Sequence, residues 1–202
     1  MNMIKPKIKA VIFDLGGVVV HGGFLNFIHH YCKACLTHLG RKRLARLERQ
    51  VNLGEITEHE FYRELQKIFG VKLPPRRIHE LIVSRMKVDV GLKHLIPSLQ
   101  KTKIAMFTNS IGHMSREVLR KRRLDHGKFF TRIFDSSDLH IAKPDTTAYR
   151  FVLHKLRVKP REALMVDDRP WNIKGAREAG MHGIVYKNSR QFKQALARYD
   201  LV

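Results

Sequence analysis

The sequence is poor in cysteine and has no long apolar run, and each scarcity excludes a class of protein. Only two cysteines occur among 202 residues, Cys32 and Cys35, so no disulfide framework can hold the fold and a reducing, cytoplasmic location is the simpler expectation. No stretch approaches the roughly 20 apolar residues that cross a bilayer. The apolar run behind the basic N-terminus is short and ends at Asp14, which predicts a buried strand rather than a signal peptide.

Acidic residues are also scarce: 18 Asp and Glu stand against 39 Lys and Arg, which gives a formal net charge of +21. Such a charge favours an anionic partner, either a nucleic acid, a membrane surface or a phosphorylated substrate. The basic residues are spread along the chain, however, and no basic stripe is interleaved with aromatic residues. We therefore do not expect specific nucleic-acid binding, and a nucleic-acid-associated protein remains an alternative that rests on charge alone.

Short apolar runs alternate with helical patterns along most of the chain. The runs that predict buried parallel strands are residues 8–14, 103–109, 132–135, 163–168 and 182–186. Residues 146–156 have a helical apolar stripe behind a possible Asp145 cap, and Pro170 and Gly180 suit the start and end of another helix. This alternation predicts an α/β fold, a Rossmann-like parallel sheet with helices on both faces.

Residues 24–91 break the alternation, because they contain helical patterns and no convincing strand. Thr57 followed by Glu60 has the spacing of a capping box that begins a helix. We therefore predict an α-helical cap at residues 21–91, inserted into an α/β catalytic core formed by residues 1–20 and 92–202.

Polar residues follow three of the predicted strands. Asp14 ends the first, Thr108 and Asn109 end the second, and the pair Asp167-Asp168 ends a later one. Any single Asp could simply cap a helix or turn. The carboxyl ends of parallel strands, however, line one crevice, and clustered carboxylates repel each other unless a cation lies between them. Oxygen ligands beside an anionic substrate suit Mg²⁺, and Lys143 in a nearby turn sequence would add a positive charge.

The same residues lie in segments that resemble the motifs of one enzyme family. VIFDLGGVVV, MFTNS, IAKPD and LMVDDRPWN resemble, in order, the motifs I to IV of the haloacid dehalogenase superfamily. The chain is similar to the phosphatase-like subgroup with a small helical cap between motifs I and II. Four motifs in the family's order are a far stronger signal than any one of them.

The resemblance implies a magnesium-dependent hydrolase of phosphoric monoesters that acts on a small phosphorylated metabolite. Asp14 would attack phosphorus and form an aspartyl-phosphate, and Lys143 and Thr108 would be catalytic beside it. The residues that would contact the substrate are Thr108, Asn109 and Lys143. The residues that would bind Mg²⁺ are Asp14, Gly16 through its carbonyl, Asp167 and Asp168.

Gly16 departs from the family pattern, which has at this position a second Asp that acts as general acid and base. Loss of such a group typically slows a reaction by ~10²–10⁴-fold, so we expect weakened or specialised turnover. One alternative is a catalytically silent protein that binds a phosphorylated ligand or a partner. Another is a 2-haloacid dehalogenase, which also lacks that Asp; the charged pair Asp167-Asp168 argues against it, because dehalogenases have uncharged residues there.

A cluster of histidines and cysteines, His29, His30, Cys32, Cys35 and His38, has spacing that invites a zinc site. We instead expect Cys32 and Cys35 to be small apolar residues on the buried face of one cap helix, since one straight helix cannot easily surround a metal with four ligands. The sequence indicates neither the substrate nor the oligomeric state.

Overall fold

The computed structural model describes residues 6–99, 101–124, 129–199 and 201. Its strands are, in chain order, β1 (Ala10–Phe13), β2 (Val20–His21), β3 (Lys87–Val88), β4 (Lys103–Thr108), β5 (Arg132–Asp135), β6 (Ala163–Asp167) and β7 (His182–Val185). Five of them form one sheet in the order β5-β4-β1-β6-β7, and each neighbouring pair is parallel. The predicted parallel sheet is confirmed, with β1 and β6 buried along their whole length.

The helices are, in chain order, α1 (Phe24–Tyr31), α2 (His38–Asn52), α3 (Glu58–Phe69), α4 (Pro75–Arg85), α5 (Val90–Leu95), α6 (Met114–Lys121), α7 (Ser136–Leu139), α8 (Thr146–Leu156), α9 (Pro170–Glu178) and α10 (Ser189–Leu196). None of these helices is long and apolar enough to cross a membrane. The helix predicted at 146–156 is observed with those bounds, and Asp145 caps it by accepting a hydrogen bond from the Thr147 N–H.

Both faces of the sheet are covered, because its side chains point alternately to two buried clusters. On β1, Val11 and Phe13 belong to one cluster, whereas Ala10 and Ile12 belong to the other. The first cluster includes residues of α6 and α10, and the second includes residues of α8 and α9. The predicted arrangement with helices on both faces is therefore confirmed.

Helices α1 to α4 lie between β1 and β4 along the chain, as expected for residues 24–91. The capping box at the start of α3 is confirmed, with Thr57 and Glu60 each accepting from the other's backbone N–H. The prediction of no strand in this segment is wrong at β3, which pairs antiparallel with β2. A strand of two residues is too short to show an alternating pattern, so the sequence could not reveal it.

The expectation of one straight cap helix through the cysteines is also wrong. Helix α1 ends at Tyr31, a short 3₁₀ turn spans Lys33–Leu36, and α2 begins behind Thr37, whose side chain accepts from the Gly40 N–H. Cys32 and Cys35 are buried as predicted, but they are joined by a disulfide rather than being separate apolar side chains. Their sulfurs are therefore not thiolates that could bind zinc.

Candidate active site

The ends of β1 and β6 bring three carboxylates together. Asp14 directly follows β1, Asp167 is the last residue of β6, and Asp168 comes next. One carboxylate oxygen of each lies within 4.8 Å of the others. Asp14 and Asp167 are buried and Asp168 is partly buried. The structure thus places at one sheet edge the carboxylates that the sequence predicted to converge.

Lys143 lies between two of these carboxylates. Its Nζ is 2.9 Å from Oδ1 of Asp14 and 2.6 Å from Oδ2 of Asp167, and its side chain is completely buried. Burial alone would lower the pKa of Lys143, but the charges and hydrogen bonds of the two aspartates outweigh it, so that the pKa is raised. Lys143 is therefore a fixed positive charge beside the side chain of Asp14.

Asp167 and Asp168 differ in how their oxygens are used. Oδ2 of Asp167 accepts from Lys143, Oδ1 accepts from the Arg169 N–H at 2.9 Å, and the Asn172 amide lies 3.0 Å from both oxygens. By contrast, Oδ1 of Asp168 is buried and has no hydrogen-bond partner among the described residues. A buried carboxylate oxygen without a partner is costly, so Asp168 is the better placed of the two to bind a cation.

The electrostatics of the cluster fit a divalent cation. Burial raises the pKa of Asp14 to about 6; Lys143 opposes this rise, and Asp167 and Asp168 add to it. Burial and the charge of Asp167 likewise raise the pKa of Asp168. A cation among the three carboxylates would relieve their mutual repulsion, and an all-oxygen ligand set of this kind suits Mg²⁺.

The loop after Asp14 passes close to Asp168. The Gly17 N–H donates to the Val20 carbonyl at 2.7 Å, and Gly17 has a φ of 80°. A Cβ at Gly17 would overlap the carboxylate of Asp168, whereas a Cβ at Gly16 would have no atom within 4 Å. Position 17 therefore requires glycine for two reasons, its left-handed backbone conformation and the closeness of the Asp168 carboxylate. Position 16, by contrast, has room for a side chain.

Thr108 and Asn109 follow β4 at the same edge. Thr108 is buried and lines the cavity above Asp14. Asn109 also lines this cavity, yet both groups of its amide bind the backbone of Lys143: Nδ2 donates to the carbonyl and Oδ1 accepts from the N–H. The side chain that the sequence assigned to substrate contact thus holds the turn that carries Lys143.

A cavity of about 210 Å³ lies over these residues. Its floor includes Asp14, Gly16, Thr108, Lys143 and Asp168. The segment between β2 and β3 contributes further lining residues, which are Gly22, Phe24, Leu25, Asn26, Glu48, Asn52 and Met86. Sequence reasoning did not identify these lining residues, because helical periodicity shows which face of a helix is apolar, but not where the helix lies relative to a site. It also missed Asn172, although its position in the first turn of the helix that follows Asp167 and Asp168 was a usable signal.

Comparisons with known proteins identify relatives by sequence and by fold. The sequence profile of the family described as haloacid dehalogenase-like hydrolase matches residues 8–180. Flavin mononucleotide hydrolase 1 of Arabidopsis thaliana is 38% identical over 195 residues, which are 96% of this chain and 78% of that protein. The phosphorylated carbohydrates phosphatase of Thermotoga maritima is 26% identical over 88% of this chain and 86% of that protein.

Among solved structures, an enzyme of the same family from Bacteroides thetaiotaomicron, BT-2542, aligns with a TM-score of 0.72 at 20% identity; the alignment covers 90% of this chain and 95% of that one. That protein was crystallised with magnesium and inorganic phosphate. Some relatives are much longer, since this chain spans only 36% and 37% of the length of two of them.

Proposed function

Because this chain belongs to the haloacid dehalogenase-like hydrolase family, we propose that it hydrolyses phosphoric monoesters of small metabolites through an aspartyl-phosphate on Asp14, with Mg²⁺ as cofactor. The observation that carries the proposal is the grouping of three carboxylates and the buried Lys143 on the floor of one cavity. A phosphatase named for carbohydrate substrates and a hydrolase named for flavin mononucleotide are among the relatives, which supports a phosphorylated small molecule as substrate.

Asp14 acts as the nucleophile in two displacements. In the first, a carboxylate oxygen bonds to phosphorus while the bond to the leaving oxygen breaks. In the second, water attacks phosphorus and restores the carboxylate. Oδ1 of Asp14 is already engaged by the Leu15 N–H and Lys143, so we assign Oδ2 as the attacking atom. Lys143 holds Asp14 ionised and faces the charge that develops on the phosphoryl group, and the Thr108 hydroxyl donates to a phosphoryl oxygen.

Asp14, Asp168 and the carbonyl of Gly16 are the proposed magnesium ligands, and Asp167 positions Lys143 and Asn172 instead. This assignment refines the sequence-based one, which included both members of the pair, and it follows from the unpartnered oxygen of Asp168. When bound, Mg²⁺ neutralises the repulsion between Asp14 and an anionic phosphoryl group.

Residues 21–91 are proposed as a cap domain that closes the cavity and selects the leaving group, with residues 1–20 and 92–202 as the catalytic core. The β2–β3 pairing joins the two ends of the helical segment, and that segment contributes part of the cavity lining. A cavity of about 210 Å³ is below the ~300–1,000 Å³ of pockets that hold drug-sized ligands, which favours a small substrate.

The test is a screen of sugar, acyl and nucleotide phosphates with purified protein, in Mg²⁺ and in excess chelator, with Asp14→Asn as the control. We expect phosphate release that needs both Mg²⁺ and Asp14. Binding of Mg²⁺ and phosphate without any turnover would favour the catalytically silent alternative. Metal-independent release of halide from a 2-haloacid would favour the dehalogenase.

A further inference from the structure

The part of the cavity lining that comes from the segment between β2 and β3 includes an acidic side chain, Glu48, that the proposed mechanism does not yet use. Glu48 lies on α2 and lines the cavity together with Asn52, one helical turn further on. The end of α2 is held against the core, because the Leu53 carbonyl is 2.8 Å from Nδ1 of His140. Glu48 therefore shares the cavity with Asp14 and Gly16 rather than facing solvent on the outer side of the cap.

Cleavage of an alkyl phosphate needs a proton donor, since an alkoxide is a poor leaving group. The ionisable side chains that line the cavity, among the described residues, are Asp14, Glu48, Lys143, Asp168 and Arg169. Asp14 is the nucleophile and Asp168 belongs to the carboxylate cluster. Lys143 is held between two carboxylates, and Arg does not release its proton in proteins. Glu48 is the ionisable group that remains.

The surroundings of Glu48 suit a proton donor. Burial raises the pKa of the Glu48 carboxyl, and the positive charge of Arg169 only partly opposes this rise. A carboxyl with a raised pKa keeps its proton closer to neutral pH, which is the condition for general acid catalysis at physiological pH.

We propose that Glu48, from the cap, is the general acid and base of this site. It would take the role of the Asp that the family pattern has at position 16, where this chain has glycine. The inference rests on the proposed phosphatase function. In the first displacement the Glu48 proton passes to the departing oxygen, so the product leaves as an alcohol and Glu48 becomes a carboxylate. In the second, water adds to phosphorus and gives one proton to Glu48, while the bond from phosphorus to Asp14 breaks. Phosphate leaves, and both side chains return to their starting states.

The test compares two leaving groups in wild type, Glu48→Gln and Glu55→Gln. Glu55 is an exposed residue just beyond α2 and serves as the matched control. The measured quantity is kcat/KM, because it reports the steps up to departure of the leaving group. For an alkyl phosphate we expect Glu48→Gln to lower kcat/KM by about 10²–10⁴-fold. For acetyl phosphate, whose leaving acetate needs no proton, the loss should be only a few-fold, and Glu55→Gln should match wild type for both.

An equal loss for both substrates, or no loss, would overturn the role of Glu48. If Glu48→Gln does not fold, wild-type kcat/KM is measured for a series of phosphate esters whose leaving groups differ in basicity. A kcat/KM that varies little along the series supports proton donation to the leaving group, and a steep dependence refutes it. The two proposals fail differently. Wild type that releases phosphate from no compound in the panel of sugar, acyl and nucleotide phosphates refutes the phosphatase function itself. Mg²⁺-dependent activity in which Glu48→Gln affects both leaving groups equally, or neither, refutes only the role of Glu48.

Discussion

The side-chain amide of Asn109 binds the backbone of Lys143 at two points: Nδ2 lies 2.9 Å from the Lys143 carbonyl, and Oδ1 lies 3.0 Å from the Lys143 N–H. Lys143 must reach Asp14 and Asp167 from this turn with a fully buried side chain. Asn109 thus determines where the positive charge of the site lies. Substitution of Asn109 should therefore slow catalysis by displacing Lys143.

We expect Asn109→Ala to lower kcat/KM by about 10²-fold, because a displacement of roughly 1 Å at a catalytic group has an effect of that size. The measurement is a double-mutant cycle with Lys143→Ala. If Asn109 acts through Lys143, the double variant should be no slower than Lys143→Ala alone. Additive losses would instead mean that Asn109 contacts the substrate independently.

The unequal hydrogen bonding of the acidic pair predicts unequal effects on metal binding. Asp168→Asn should abolish the Mg²⁺ binding measured by calorimetry, as should Asp14→Asn. Asp167→Asn should retain weakened binding but unfold at a lower temperature, because Lys143 would lose one of two buried partners, and breaking a buried ion pair typically costs about 3–5 kcal/mol. Wild-type Mg²⁺ affinity in Asp168→Asn would refute the assignment of the ligand.

Gly16 and Gly17 give a matched pair of alanine substitutions. Gly17→Ala should destabilise the protein by about 1–3 kcal/mol, since it forces a side chain into a left-handed conformation, and it should also displace the Asp168 carboxylate and weaken Mg²⁺ binding. Gly16→Ala, which meets open space, should leave both nearly unchanged. Urea unfolding and calorimetry on the two variants test this, and equal effects would contradict it.

The sequence predicted most of the core because its signals there are local. Buried parallel strands show as apolar runs, and the polar residue that ends each run marks the ligand-binding edge, so Asp14, Thr108 and Asp167 could be located without a structure. Residues 24–91 were predictable as mainly helical, but their placement relative to the site was not. The break between α1 and α2 and the Cys32–Cys35 disulfide are local features, but an apolar pattern that continues through both cysteines does not show where the first helix ends. The position of Glu48 at the cavity depends on packing between segments distant along the chain, which periodicity does not record.

His79 on α4 contacts side chains of α3 and α6, and these contacts predict a pH-dependent stability. Its Nδ1 contacts Glu58, and its Nε2 is 2.7 Å from Glu117, which also pairs with Lys121 at 2.6 Å. Burial alone would lower the pKa of His79, but its hydrogen bonds to the two glutamates and their charges outweigh burial, so that the pKa is raised above the usual value of a histidine. A raised histidine pKa means that the stabilisation is complete below the unfolded-state pKa and is lost as pH rises through the folded-state pKa.

We therefore expect His79→Gln to reduce the free energy of unfolding by about 1–3 kcal/mol near pH 6, and by less at pH 9. Urea titrations at the two pH values measure the difference. His59→Gln, at an exposed position of α3, is the control and should have little effect at either pH. A deficit for His79→Gln that does not change with pH would show that the charge of His79 contributes nothing.

The open space at position 16 should allow Gly16 to be replaced by Asp, the residue that the family pattern has at this position. The φ of Gly16 is not in the left-handed region and a Cβ there meets no atom within 4 Å, so Gly16→Asp should fold with a melting temperature close to that of wild type. A carboxyl two residues after Asp14 would be a second proton donor to the leaving oxygen. It should raise kcat/KM for alkyl phosphates and leave acetyl phosphate nearly unchanged, because only the alkoxide needs the proton.

The size of the gain separates two explanations of the wild-type activity. If Glu48 already supplies the proton, Gly16→Asp should improve alkyl phosphate hydrolysis only modestly in wild type, but should recover much of the ~10²–10⁴-fold loss when introduced into Glu48→Gln. If no residue supplies it, the gain in wild type should itself reach that range and should be the same in both backgrounds. Steady-state kinetics of the two single variants and the double variant, with folding checked by circular dichroism, distinguish these outcomes. A folded Gly16→Asp variant with no gain in either background would show that proton supply does not limit this site.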